Sequence, residues 1–80
     1  MENEVEFYGM IAEKIGVTKS SILVEVEEEE EVNVRDMIMS LYPELTSMTF
    51  QIAINSELKE GLCKNDIGKT IAILPPFAGG

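Results

Sequence analysis

The stretch TIAIL at 70–74 constrains the fold of this chain more than any other part of it. A strand alternates its side chains between two faces, and here both faces are apolar, which suits a strand in the middle of a sheet. The rest of the sequence must then supply neighbouring strands and a cover. FQIAIN at 50–55 puts Phe50, Ile52 and Ile54 on one face and Gln51, Ala53 and Asn55 on the other, and Asn55 with Ser56 reads as the start of a turn. VEFYG at 5–9 alternates in the same way, Val5 and Phe7 against Glu6 and Tyr8. SSILVEVEEEE at 20–30 is rich in β-branched residues and also alternates, so it is expected to form a second strand, paired as a hairpin with the first. Between these two, MIAEKIG at 10–16 reads as a short helix or turn carrying Met10, Ile11 and Ile15, and Gly16 can stop it in the left-handed conformation.

The cover is expected from NVRDMIMSLYPEL at 33–45. Asn33 is a good N-cap, Asp36 places a carboxylate where the helix dipole favours one, and Val34, Met37, Ile38, Leu41 and Leu45 share a face. Pro43 should end the regular part. Strands, one main helix and further strands, with no repeat and no linker, make an α+β domain with the helix across one sheet face. One helix cannot cover two apolar faces. The face bearing Ala53, Ala72 and Leu74 is therefore expected to be covered by a partner.

Eighty residues make one domain, in the size range that buries only about 60% of its unfolded surface. At 45% hydrophobic residues, the body is expected to fold rather than remain disordered. Fifteen acidic against six basic residues give a net charge of -9, which repels nucleic acid and anionic membranes and favours a basic protein surface. No stretch approaches the ~20 apolar residues of a membrane span, and MENEVEF has no basic-then-apolar leader pattern. A cytoplasmic location is expected. With one cysteine and no histidine, an internal disulfide, the usual metal sites and Cys/His nucleophiles cannot be built. Cys63, in a loop beside Lys64, is expected to be incidental, because no base or resolving thiol accompanies it. The glutamate run at 27–31 reads as a solvated strand end that blocks edge pairing, with steering of a basic partner as the alternative. Met37 and Met39 read as helix packing and surface.

The last segment, ILPPFAGG at 73–80, is unusual. Gly79 and Gly80 contribute nothing to packing and lose the most freedom on ordering. Pro75 and Pro76 hold the chain extended, so capture of the tail costs less entropy. Residues 75–80 can reach roughly 20 Å at ~3.3 Å each, enough to enter a buried site from a docked domain. The expected organisation is a domain over residues 1–74 and a tail over 75–80.

With VEFYGMIAEKIG, NVRDMIMSLYPEL, AINSEL and ILPPFAGG in this order, the chain resembles the ubiquitin-like β-grasp sulfur carriers, the MoaD/ThiS family. The match runs over essentially the whole chain, and the Pro-Pro that precedes the glycine pair tilts it towards the molybdopterin-synthase small-subunit branch. Two departures are GKT at 68–70, where the family often has glycine followed by acidic residues, and the density of glutamates at 27–31. The resemblance implies a non-catalytic carrier. Its Gly80 carboxylate would be adenylated by an ATP- and Mg²⁺-using, ubiquitin-activating-like enzyme, converted to a thiocarboxylate, and would give up sulfur inside the molybdopterin synthase large subunit. The chain itself would bind no cofactor. Gly79, Ala78, Phe77, Pro76 and Pro75 would thread into the partner sites, narrow at the glycines where no Cβ is present. Phe77 would either anchor the tail in an apolar pocket or fold back onto the domain. Ala53, Ala72, Leu74 and Phe77 would contact the partner. Other readings are a carrier for thiamine or another sulfur pathway, a modifier joined to lysines through Gly80, and a passive β-grasp interaction module.

Overall fold

The structure is a computed structural model and describes residues 2–76. Phe77, Ala78, Gly79 and Gly80, with the threading and anchoring roles expected of them, lie outside the described residues.

Strand β1, Glu2–Phe7, buries Asn3, Val5 and Phe7 and leaves Glu2 and Glu4 exposed and Glu6 half-buried. Helix α1, Gly9–Ile15, follows at once and buries Ile11, whereas Met10 stays 64% exposed. Gly16 closes α1 at φ 76°, its N–H donating to the Ala12 carbonyl, as the sequence led us to expect. Strand β2, Lys19–Leu23, returns antiparallel to β1, with Val5 opposite Ser20 and Asn3 opposite Ile22.

The second strand is shorter than expected. It stops at Leu23; Val24 is still buried and Val26 half-buried, but residues 27–31 form an exposed loop with a turn, not a strand end. Among the described residues the β1–β2 ladder ends at Glu2 and Leu23, and adjacent carboxylates repel one another. A two-residue strand β3, Val32–Asn33, leads into helix α2, Val34–Leu41. Asn33 caps α2 by accepting from the Asp36 N–H at 3.0 Å. Pro43 opens a short 3₁₀ helix, Pro43–Ser47, which buries Leu45. Leu41 departs from expectation: it shares the helical face of Val34 and Ile38 yet is 56% exposed, because the end of α2 faces a groove beside the edge strand β2 and not the core.

Strand β4, Gln51–Ile54, runs through the Asn55/Ser56 turn, both residues at positive φ, into β5, Glu57–Leu58, a strand not expected from sequence. Another short strand, β6, Gly61–Leu62, pairs with β3, and a 3₁₀ turn, Lys64–Asp66, precedes β7, Ile71–Leu74. The main sheet has the order β2-β1-β7-β4-β5, so TIAIL lies at its centre, parallel to β1 and antiparallel to β4. Ile71 and Ile73 project to the helix side and join Val5, Ile11, Val34, Ile38, Ile52, Ile54 and Leu62 in one core. Phe7 and Tyr42 meet edge to face, centroids 5.2 Å apart. Arg35 ties α2 to the sheet: its guanidinium lies 4.3 Å from the Phe50 ring centroid and donates to the Phe50 carbonyl and to Glu60, each at 2.8 Å.

Candidate functional site

Because Ile71 and Ile73 face the helices, Ala72 and Leu74 must face the other way. The register then sets a row across the open sheet face: Lys19, Glu6, Ala72, Ala53 and Leu58, from β2 to β5. Leu74 pairs with Gln51 one step along. On the β7–β4–β5 side this face is apolar. Ala53, Ala72 and Leu74 are all half-exposed and Leu58 is 61% exposed. On the β1–β2 side it carries Glu2, Glu4 and Glu6, with Lys19 3.8 Å from Glu4 and 3.9 Å from Glu6. The three residues expected to share an uncovered face do share it. Leu58 belongs with them and was missed because β5 was missed; the Asn55-Ser56 turn was the available signal.

Two polar details border the apolar part of this face. Gln51, which pairs with Leu74 across the β4–β7 ladder, has its Oε1 buried and without a hydrogen-bond partner among the described residues. Tyr8, at the end of β1, donates to Glu6 Oε1 at 2.5 Å. That hydrogen bond holds the Glu6 carboxyl below its usual range and pushes the Tyr8 phenol up. Glu6 therefore stays charged at the boundary between the acidic and apolar halves.

The sheet also fixes where β7 ends and how Pro75 leaves it. The Tyr8 N–H donates to the Ile73 carbonyl at 3.1 Å, carrying the β1 pairing to the end of β7. Gly9 follows at φ 56°, and a Cβ there would lie 3.3 Å from Pro75 Cγ. Only glycine suits both the backbone and the close approach. Pro75, half-buried, thus leaves the sheet against Gly9, directly after the open-face residue Leu74.

Cys63 is not isolated. Its N–H and thiol both donate to Asp66 Oδ2 at 3.1 Å, and Lys59 Nζ donates to the same oxygen at 2.9 Å. Burial pushes the Asp66 carboxyl up, but the Lys59 and Cys63 hydrogen bonds outweigh it and the net direction is down. Behind this turn Asn3, fully buried, donates to the carbonyls of Asp66 and Lys69 and accepts from the Gly68 N–H. The assembly fixes the loop that feeds β7. Cys63 is a turn-capping residue with no described base beside it other than a carboxylate already occupied. Among the described residues no group of acidic, cysteine or histidine side chains is arranged to hold a metal ion, and no helix is long and apolar enough to cross a membrane.

A five-stranded mixed sheet with a central C-terminal strand parallel to the first, crossed by one main helix, is the ubiquitin-like β-grasp fold. No protein-family model matches the sequence, and no curated protein matches it. Solved structures do match in shape. SAMP1 from Haloferax volcanii superposes with a TM-score of 0.72 at 20% identity, covering 100% of both chains. A protein described as molybdopterin converting factor, subunit 1, from Pyrococcus furiosus superposes with a TM-score of 0.71 at 18% identity, covering 96% of this chain and 99% of that one. At these identities the likeness is one of fold.

Proposed function

We propose that this chain is a non-catalytic sulfur carrier of the molybdopterin pathway, acting in the cytoplasm as the small subunit of molybdopterin synthase. The observation that carries the reading is the continuity of β7: it delivers Leu74, on an uncovered apolar face, straight into Pro75 and Pro76 and the sequence FAGG. Likeness in fold to a molybdopterin converting factor subunit adds support. A carboxylate is a poor electrophile because its charge is shared over two oxygens. In the proposed cycle the Gly80 carboxylate attacks the α-phosphorus of ATP and releases pyrophosphate, using the Mg²⁺ and catalytic groups of an activating enzyme. A persulfide sulfur then displaces AMP from the acyl carbon, and cleavage of the acyl disulfide by a thiol leaves the thiocarboxylate. Ala53, Ala72, Leu74 and Leu58 dock on the large subunit, and Phe77, Ala78 and Gly79 thread the reactive end into its active site.

Intact mass of the protein isolated from cells with the pathway intact tests the reading. A fraction with one oxygen replaced by sulfur is expected. A ladder of heavier conjugates would instead make the chain a modifier joined to lysines, and unmodified protein alone would leave a β-grasp interaction module.

A further inference from the structure

The second surface is the free edge of the sheet, on the side away from β5. β2 pairs with β1 alone among the described residues, and the ladder shows which of its peptide groups point outward. The Phe7 N–H donates to the Thr18 carbonyl at 2.9 Å. Phe7 and Thr18 are therefore a hydrogen-bonded pair of this antiparallel ladder, and so, two residues on each time, are Val5 with Ser20 and Asn3 with Ile22. The alternate pairs are not hydrogen-bonded to each other, which turns the N–H and C=O of Lys19, Ser21 and Leu23 away from β1. Beside this edge runs a groove of about 380 Å³ between β2 and α2, lined by Ser21, Ile22, Leu23, Met37, Ser40 and Leu41. Leu23 is 69% and Leu41 56% exposed. Past Leu23 the chain enters Glu25 and the glutamates at 27–31, all exposed, and the exposed Glu2 lies opposite Leu23 in the ladder.

We propose that β2 and this groove bind an extended peptide segment of another protein, added to the sheet as a further strand, with apolar side chains in the groove and lysine or arginine residues beyond its Leu23 end. The outward peptide groups select the conformation: an extended chain satisfies the N–H and C=O of Lys19, Ser21 and Leu23, and a helix laid in the groove does not. Every second side chain of the added strand then falls on the groove side, where Ile22, Met37 and Leu41 supply an apolar floor. The acidic loop selects the charge, because a basic flank is drawn to Glu2, Glu25 and the 27–31 run, and an acidic flank is repelled. The surface borders the acidic half of the open sheet face and is separate from the apolar half bearing Ala53, Ala72, Leu74 and Leu58.

Fluorescence anisotropy with the synthetic peptides KKRVIVTV and DEEVIVTV tests this. The basic-flanked peptide is expected to bind at least about tenfold more tightly than the acidic one, a difference that shrinks with added salt. N-methylation of alternate residues of KKRVIVTV should abolish binding in one frame and spare it in the other, since only every second N–H of an added strand points at β2. Leu41→Glu and Leu23→Glu, both at exposed positions, should remove binding and leave circular dichroism and melting unchanged. Equal binding of both peptides, tolerance of both methylation frames, no binding at all, or a β2-to-β2 dimer of this chain lost in Leu23→Glu would each overturn the proposal.

Discussion

At the scale of single residues, two of the three described glycines at positive φ separate backbone strain from the path of the chain after β7. Gly9 and Gly16 both have positive φ, but a Cβ on Gly16 would meet nothing within 4 Å and one on Gly9 meets Pro75. Alanine at either site carries the left-handed penalty of about 1 kcal/mol, which should lower the melting temperature by about 4–8 °C. Only Gly9→Ala also moves the root of the tail. It should slow pyrophosphate exchange with the activating enzyme more than Gly16→Ala does at matched stability, and equal rates would show that the exit path is unimportant. Asp66 makes a separate prediction about acid. Its carboxyl is held below the unfolded value, so its contribution is complete above about pH 4 and is lost as pH falls through the lower folded pKa. Acid also relieves the repulsion of a chain at -9, so the difference between variants is the cleaner quantity. Denaturant melts of Asp66→Asn should show a stability deficit that is largest at neutral pH and narrows below about pH 4. Cys63→Ser should leave sulfur transfer in the purified system unchanged, because Cys63 caps a turn and the sulfur is proposed to ride on Gly80.

At the scale of elements, sequence patterns held wherever an element's own chemistry decided its form. The Asn33 cap and the Gly16 stop were legible because each satisfies a backbone group within a few residues. Asn33→Ala should cost about 1 kcal/mol, read by denaturant melting. The Asn55/Ser56 turn needs positive φ at both residues, 52° and 69°, and Ser56 is the less suited of the two. Ser56→Gly should stabilise the protein by under about 1 kcal/mol, the relief of left-handed strain being partly offset by the extra freedom of glycine in the unfolded chain. A lower melting temperature would show that the turn is not held as described. β3 and β6 were illegible in sequence and β5 was signalled only by the Asn55-Ser56 turn before it, because two residues carry no periodicity and these strands are defined by pairing with a partner strand.

At the scale of the whole molecule, an acidic half-face lies beside an apolar half-face on one sheet, and the apolar half is the proposed docking surface. Leu74→Asp should weaken binding to the proposed partner, a large synthase subunit, by about 2 to 4 kcal/mol, roughly thirty- to a thousandfold. Half-exposed Leu74 lies off the core, so circular dichroism should remain that of a folded domain. Leu58→Asp, on the same row as Ala53, should act in the same direction. Calorimetry decides both, and unchanged affinity in folded variants would discard this face as the docking surface.

Sequence alone determined that TIAIL is central, that Val5, Phe7, Ile52 and Ile54 point inward, that one capped helix covers them, and that Ala53, Ala72 and Leu74 share the opposite face. These follow from alternation and capping, which act over a few residues and leave their mark in the spacing of side chains. Tertiary structure alone decided that Leu41 overhangs a groove, that the 27–31 run leaves the sheet, that Asn3 binds the turn around Asp66 and Gly68, and that Pro75 rests on Gly9. Each of these depends on which distant segment arrives beside a residue. A periodic pattern states which way a side chain points but not what stands there to meet it.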